Sequence, residues 1–310
     1  MGDLIFFKKG IPVGIVVPSV FYSLQGTNLV VDGPGGIAHS GSMREHDLHM
    51  ALLESNALVE GSRLEINKVI ELLEDPVYSR TVSYLLCHAK SCSDVLDDIL
   101  ALQNARVMIV GCGGIGSSLC MLLAGAGVRD FVLVDADVVE KSNLNRQLFW
   151  TLQDVGFKKV MVLKAALEAR FESLKIKCID SNLQIEDVCN LSGGDIGAVA
   201  ITADDPATLA RDGWRVADAC NVPVVSGGYM HHLSASFHFV PGDCVEVARA
   251  AESLSHEEWF CLPSSIMPSY GPMNLSLASV LSSNLIASIA RCSFGAQQTS
   301  CTRWDFRKIL

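Results

Sequence analysis

The residues that can do chemistry cluster between positions 106 and 205. An apolar stretch, Val107-Met108-Ile109-Val110, runs straight into Gly111-Cys112-Gly113-Gly114-Ile115-Gly116. A glycine turn between a buried strand and a helix lets the backbone approach phosphate oxygens, and the helix start offers unpaired N–H donors at the positive end of its dipole. Asp135 follows about 20 residues later, at the end of the next apolar stretch, where a carboxylate can accept hydrogen bonds from ribose hydroxyls. These two features fit an NAD-dependent oxidoreductase as well as an ATP site, and some such loops serve only close packing.

The continuation separates the alternatives. Asp135-Ala136-Asp137 is followed by Ser142-Asn143-Leu144-Asn145-Arg146-Gln147, then by Gly156-Phe157-Lys158-Lys159, and later by Thr202-Ala203-Asp204-Asp205-Pro206. Hydride transfer has no need of this cationic series. Transfer at a nucleotide phosphorus does, because charge on the phosphate oxygens must be balanced as pyrophosphate leaves.

The loop, the paired aspartates, the Asn-x-x-Arg-Gln segment and the following lysine together resemble the ubiquitin-activating, E1-like superfamily with its bacterial ThiF and MoeB branches, over residues 76–290. The resemblance implies an enzyme that uses ATP and Mg2+ to turn a carboxylate into an acyl-adenylate. It implies that Gly111, Gly113, Gly114, Gly116, Asp135 and Asp137 form the nucleotide site, with Asp135 on the ribose. Asn143 and Arg146 would then hold phosphates, Lys159 the phosphates near the reacting centre, and Asp204 the magnesium, with Asp205 its less favoured neighbour. An N-cap role for either aspartate and a solvated Lys158 are the structural alternatives. Members are commonly homodimers in which an N-terminal arginine crosses to the partner's site; Arg80 is the candidate here, with an ordinary surface arginine as the alternative.

Within the superfamily, Tyr78-Ser79-Arg80, Ala203-Asp204-x-Pro206 and Gly228-Tyr229 before a segment ending Val240-Pro241-Gly242 are similar to the branch of microcin C7 adenylating enzymes, which carry an N-terminal peptide clamp. Most relatives bind zinc through two C-x-x-C pairs, of which only Cys244 remains, so no zinc is expected. A short, zinc-free chain with a clamp also resembles the pantocin A maturation enzymes, which act on glutamates of a ribosomal precursor peptide. The expected reaction is adenylation of a peptide carboxylate, a glutamate side chain followed by internal cyclisation, in peptide antibiotic biosynthesis, with the leader held by the N-terminal module. Adenylation of a sulfur-carrier C-terminus is the alternative. The peptide, the activated carboxylate, the fate of the adenylate and whether Arg80 acts in trans stay open. So does the part of His231, His232 or Cys261: either histidine could be a base, placed by a strand that lets only one of them face the site.

These residues need a scaffold. Strand-like runs at Val107–Val110, Phe131–Val134, Lys175–Asp180, Ala198–Thr202 and Val222–Ser226, separated by helical stretches, predict an α/β, doubly wound, mainly parallel Rossmann-like sheet, with His231–Val240 pairing antiparallel. Residues 1–75 read as a separate winged-helix-like peptide-recognition module and 76–310 as the adenylation domain. Strands are expected at Leu4–Phe7, Gly14–Val17 and Asn28–Val31, and helices over Asp47–Glu60, Glu65–Leu73, Ser93–Leu102 and Asn274–Ala290.

Composition agrees with a folded enzyme and excludes several classes. Hydrophobic residues make up 49% of 310, enough for a large core and a satellite. The net charge of -10 disfavours nucleic acid as partner, and residues 1–75, with ten acidic against five basic side chains, lack a basic patch. The eleven cysteines are odd in number and contain no C-x-x-C pair, which argues against a disulfide framework or structural zinc. No signal peptide or membrane span is expected, since glycines, prolines and serines interrupt the longest uncharged stretches, and the expected location is cytoplasmic.

Overall fold

The computed structural model describes residues 4–26, 28–42, 44–206, 208–252 and 268–308. Two compact units emerge: residues up to 101 with 290–295, and residues 102–289 with 296 onward.

In the first unit, β1 (Ile5–Lys8), β2 (Ile11–Val16), β3 (Phe21–Gln25), β4 (Asn28–Gly33) and β5 (Gly36–Ser40) precede α1 (Glu45–Glu54), β6 (Leu58–Glu60), α2 (Arg63–Glu74), α3 (Ser79–Leu85) and α4 (Cys92–Asn104). They form two small antiparallel sheets, ordered β1-β2-β6 and β3-β4-β5. Leu29, Val31 and Ala38 from the second sheet bury against Ala51 and Leu52 of α1 and against Ala57 and Leu58. The helix expected over Asp47–Glu60 stops at Glu54. The Ser55 hydroxyl donates to the Ala51 carbonyl (2.8 Å), and Asn56 turns left-handed at φ 51°. The chain then leaves as β6, whose Leu58 and Val59 are buried on pairing with β2. Asn tolerates the left-handed turn, and the β-branched Val59 gains more from the sheet than from another helical turn. The next helix starts at a capping box: the Ser62 N–H donates to Glu65 Oε2 (2.7 Å) and the Glu65 N–H to Ser62 Oγ (3.4 Å).

The second unit is the expected doubly wound sheet. In chain order it holds β7 (Arg106–Val110), α5 (Gly114–Ala126), β8 (Asp130–Val134), α6 (Lys159–Glu168), β9 (Lys175–Ile179), α7 (Ile185–Ser192), β10 (Ala198–Ile201), α8 (Gly213–Cys220), β11 (Val224–Met230), β12 (Leu233–Phe239), α9 (Val245–Glu252), α10 (Gly271–Ile289) and β13 (Ser300–Asp305); α11 (Arg291–Phe294) lies in the first unit. The seven-stranded order is β13-β12-β11-β10-β7-β8-β9. From β11 to β9 the pairing is parallel, and β12 and β13 extend it antiparallel. Val107 to Val110 of β7 and all of β10 are buried, as strands covered on both faces must be.

Two consequences place the site. The chain crosses from β7 to β8 on one side and later returns to β10 on the other, so the carboxyl end of β7 is a topological switch point, where open α/β sheets leave a crevice. The long α10 buries Met273, Asn274, Leu277, Ala278, Leu281 and Leu285. Among the described residues, no helix is long and apolar enough to cross a membrane.

His231 and His232 correct an expectation. They form the turn between β11 and β12, His231 exposed and at φ 56° and His232 half-buried, instead of lying on a strand with one ring facing the site. The strand rule therefore does not apply to them.

Candidate functional site

The glycine loop is shaped by what crowds it. Gly111 has φ +90°, and a Cβ there would run into the Ala203 backbone nitrogen. A Cβ on Gly116 would strike the Gly111 carbonyl and lie 2.5 Å from Thr202 Oγ1. Glycine is required at both positions, once for the left-handed backbone and twice for close packing against the end of β10. Thr202 closes that packing, its hydroxyl donating to the Gly111 carbonyl (2.8 Å). Gly113 faces open space apart from Gln147 Nε2 at 3.8 Å from its would-be Cβ.

Asp135 ties the loop to the neighbouring strand. Its Oδ2 accepts from the Cys112 N–H (2.7 Å) and its Oδ1 from the Asp137 N–H (2.8 Å). The carboxylate is thus oriented at the carboxyl edge of β8 with lone pairs left for further donors. Burial, and then the charge of Asp135, push the Cys112 thiol well above its usual range, so this loop cysteine is an inert small hydrophobe. The Cys244 thiol is likewise raised, to about 11, chiefly by burial.

Past β8 the cations line up. Lys159 opens α6 with its side chain 9% exposed, and its Nζ pairs with Asp137 Oδ2 at 2.8 Å. An ammonium at a helix N-terminus is disfavoured by the dipole, so the Asp137 carboxylate is what holds it in place. Lys158 is not merely solvated: its Nζ donates to the Ala136 carbonyl (2.7 Å) and to Asp180 Oδ1 (2.9 Å). Asn143 is buried, and its Oδ1 accepts from the Glu140 N–H (3.0 Å), fixing a one-turn 3-10 helix. Arg146 extends from that turn, Nη1 donating to the Ser142 carbonyl (2.8 Å) and to Asn145 Oδ1 (3.0 Å). Gln147 is buried beside the loop and accepts from the Trp150 indole N–H at 2.5 Å.

Asp204 and Asp205 stand exposed just beyond β10, and neither side chain makes a hydrogen bond or ion pair among the described residues. Neither caps a helix. No group of three or more potential metal ligands occurs among the described residues. A free carboxylate beside the glycine loop fits magnesium, which is held by one or two carboxylates together with substrate phosphates and water.

The loop glycines, Asp135, Asp137, Asn143, Arg146, Lys159 and Asp204 therefore all lie on segments at or following the carboxyl ends of β7, β8 and β10 in one unit. Arg80 belongs to the first unit, exposed on α3. Cys261 lies outside the described residues. Sequence reasoning gave no part to Thr202 or to Asn274; the signal for the latter is one amide on the first turn of a helix whose buried side is mostly apolar.

Comparison with known proteins bears on the family and the fold. The model of the ThiF family matches residues 93–308. The adenylyltransferase/sulfurtransferase MoeZ of Mycobacterium tuberculosis, described as probable, is 34% identical over 119 residues, 35% of this chain and 30% of that protein. The adenylyltransferase and sulfurtransferase uba4 of Neosartorya fischeri is 52% identical over 61 residues, 20% of this chain and 13% of that one. The chain thus spans less than a third of the length of these curated relatives. Among solved structures, E. coli MccB with ATP superposes with a TM-score of 0.71 at 19% identity, covering 95% of this chain and 96% of that one. MccB, the microcin C7 biosynthetic enzyme, in complex with N-formylated MccA gives 0.71 at 19% identity, over 95% and 97%. PaaA gives 0.63 at 14% identity, over 93% and 98%. With 216 of its 310 residues matched, this chain belongs to the ThiF family.

Proposed function

We propose that the chain uses ATP and magnesium to adenylate a carboxylate of a ribosomally made precursor peptide. The observation that carries the reading is the meeting, at one switch point, of an uncapped glycine loop with Lys159 and the unpaired Asp204 carboxylate. MccB, which shares the fold over nearly the whole chain, has been seen with ATP and with the peptide MccA, which favours a nucleotide and a peptide here.

In this reading the loop and α5 receive phosphate, and Asp135 accepts from the ribose. Asn143 shapes the turn from which Arg146 reaches phosphate oxygens. Asp204 would hold magnesium, which would supply positive charge to offset that of the phosphates. Arg146 and Lys159 offset the charge that develops as the peptide carboxylate oxygen bonds to the α-phosphorus and pyrophosphate departs in line. Such sites act mainly by positioning and electrostatics, so no protein nucleophile is needed. In a homodimer Arg80 of one protomer would add a cation to the partner's site. A glutamate side chain followed by internal cyclisation is the preferred substrate chemistry.

The first unit would hold the leader. β3 is paired on one side only, and Phe21, Tyr22 and Leu24 are 73%, 73% and 57% exposed, so an extended apolar segment can add to this edge as a further strand. A second reading, adenylation of a sulfur-carrier C-terminus, draws on the likeness to MoeZ.

The test is ATP turnover by the purified chain with magnesium and either a short peptide encoded beside its gene or a sulfur-carrier protein. The proposal expects AMP and pyrophosphate with the peptide. Turnover with the carrier alone selects the second reading, and ADP with phosphate sinks both.

A further inference from the structure

Asn274 is the buried polar group that the proposed chemistry leaves unexplained. It sits on the first turn of α10, 4% exposed, and its Nδ2 has no hydrogen-bond partner. Around it the helix buries Met273, Leu277, Ala278 and Leu281, and the serines buried further along, Ser282 and Ser288, both have hydrogen-bond partners, whereas the Asn274 amide donor has none.

Its position is specific. A Cβ built on Gly114 would lie 2.7 Å from Asn274 Nδ2 and 2.9 Å from its Cγ, so the carboxamide rests directly on the first residue of α5. That glycine has no need of an unusual φ; it makes room for the amide. The thirteen-residue α5 is also uncapped: Gly113 offers no side-chain acceptor, and the first helical bond runs from the Ser117 N–H to the Gly113 carbonyl. Asp135, at the end of β8, accepts from the Cys112 and Asp137 N–H groups, one on each carboxylate oxygen. An orphaned amide donor and an uncapped helix start thus share one location and call for the same ligand, an oxyanion.

We propose that the Asn274 carboxamide donates to a phosphate oxygen of the nucleotide bound at the N-terminus of α5. The assignment rests on the nucleotide-binding part of the proposed function. A donor delivered from α10 makes phosphate binding depend on the packing of that helix on the loop.

Binding measurements on the full chain decide it, with the non-hydrolysable analogue AMPCPP and with adenosine as the phosphate-free control. Asn274→Asp, which keeps the shape and sets a negative charge against the phosphate, is expected to weaken AMPCPP at least tenfold, and Asn274→Ala several-fold, with adenosine affinity unchanged. Gly114→Ala, whose new methyl displaces the amide, should resemble Asn274→Ala. Unchanged AMPCPP affinity overturns the assignment, and so does an equal loss for AMPCPP and adenosine, which would mark a structural role. Should Asn274→Asp fail to fold, as read by thermal melting, the other two variants carry the decision. Wild-type chain that binds AMPCPP yet releases no pyrophosphate sinks the adenylation reading alone; wild-type chain that does not bind AMPCPP overturns this contact as well.

Discussion

At the scale of single residues, two side chains carry opposite predictions about what their removal leaves behind. Asp204 is exposed and unpaired, so Asp204→Ala should melt like the wild type while abolishing peptide-dependent AMP formation. A variant that keeps its AMP formation contradicts the magnesium role. Lys159 is buried and paired with Asp137, so Lys159→Ala should lower kcat/KM for pyrophosphate release by about 10²–10³-fold, as for other groups that stabilise developing charge, and should also cost some stability. Steady-state kinetics and melting curves on the same samples check both. These residues were legible in the sequence because the motif series keeps them in order. The partners were not, since the Lys159–Asp137 pair and the Thr202 hydroxyl on Gly111 join segments that only the fold brings together. Asn274 escaped for the same reason: its neighbour Gly114 lies 160 positions earlier in the chain.

At the scale of elements, the strand–loop–helix unit from β7 to α5 makes the sharpest demand. Gly116→Ala must push against the Gly111 carbonyl and Thr202, whereas Gly113→Ala meets only the end of a glutamine side chain. Gly116→Ala should therefore lose at least about 2 kcal/mol in denaturant unfolding, as overpacked sites with no room to relax do, and Gly113→Ala less than about 1 kcal/mol. Equal losses would mean that the loop is not braced by β10. The parallel strands were easy to read because continuous apolar runs between helical stretches have few other solutions. Periodicity alone carries α1 past the left-handed Asn56, where the helix has already ended, and starts β12 at the left-handed His231 where it begins only at Leu233, although the antiparallel pairing itself is as expected. Backbone handedness at a single position is a local choice that a pattern of apolar residues does not encode.

At the scale of the whole molecule, stability and function respond to different things. His238 on β12 is buried and hydrogen-bonded through Nε2 to the Ser288 hydroxyl on α10 (2.6 Å), and burial pulls its pKa from 6.5 down to about 4. The folded chain therefore holds fewer protons on this group than the unfolded chain between those values. Its contribution is complete above the unfolded pKa and is lost as the pH falls from about 6.5 toward 4, an effect of about 2 kcal/mol by pH 5. Denaturation of wild type and His238→Asn at pH 7 and pH 5 should show the steeper loss in the wild type; parallel losses would place the proton elsewhere. In the proposed function, by contrast, adenylation is assigned to the β7–β8–β10 edge and peptide delivery to the first unit. The most direct test of the central claim labels the peptide carboxylate with ¹⁸O and follows the label during ATP turnover. If the carboxylate attacks the α-phosphorus and the adenylate is then opened at its carbonyl, the released AMP carries one ¹⁸O; AMP free of label, or ADP in its place, contradicts it.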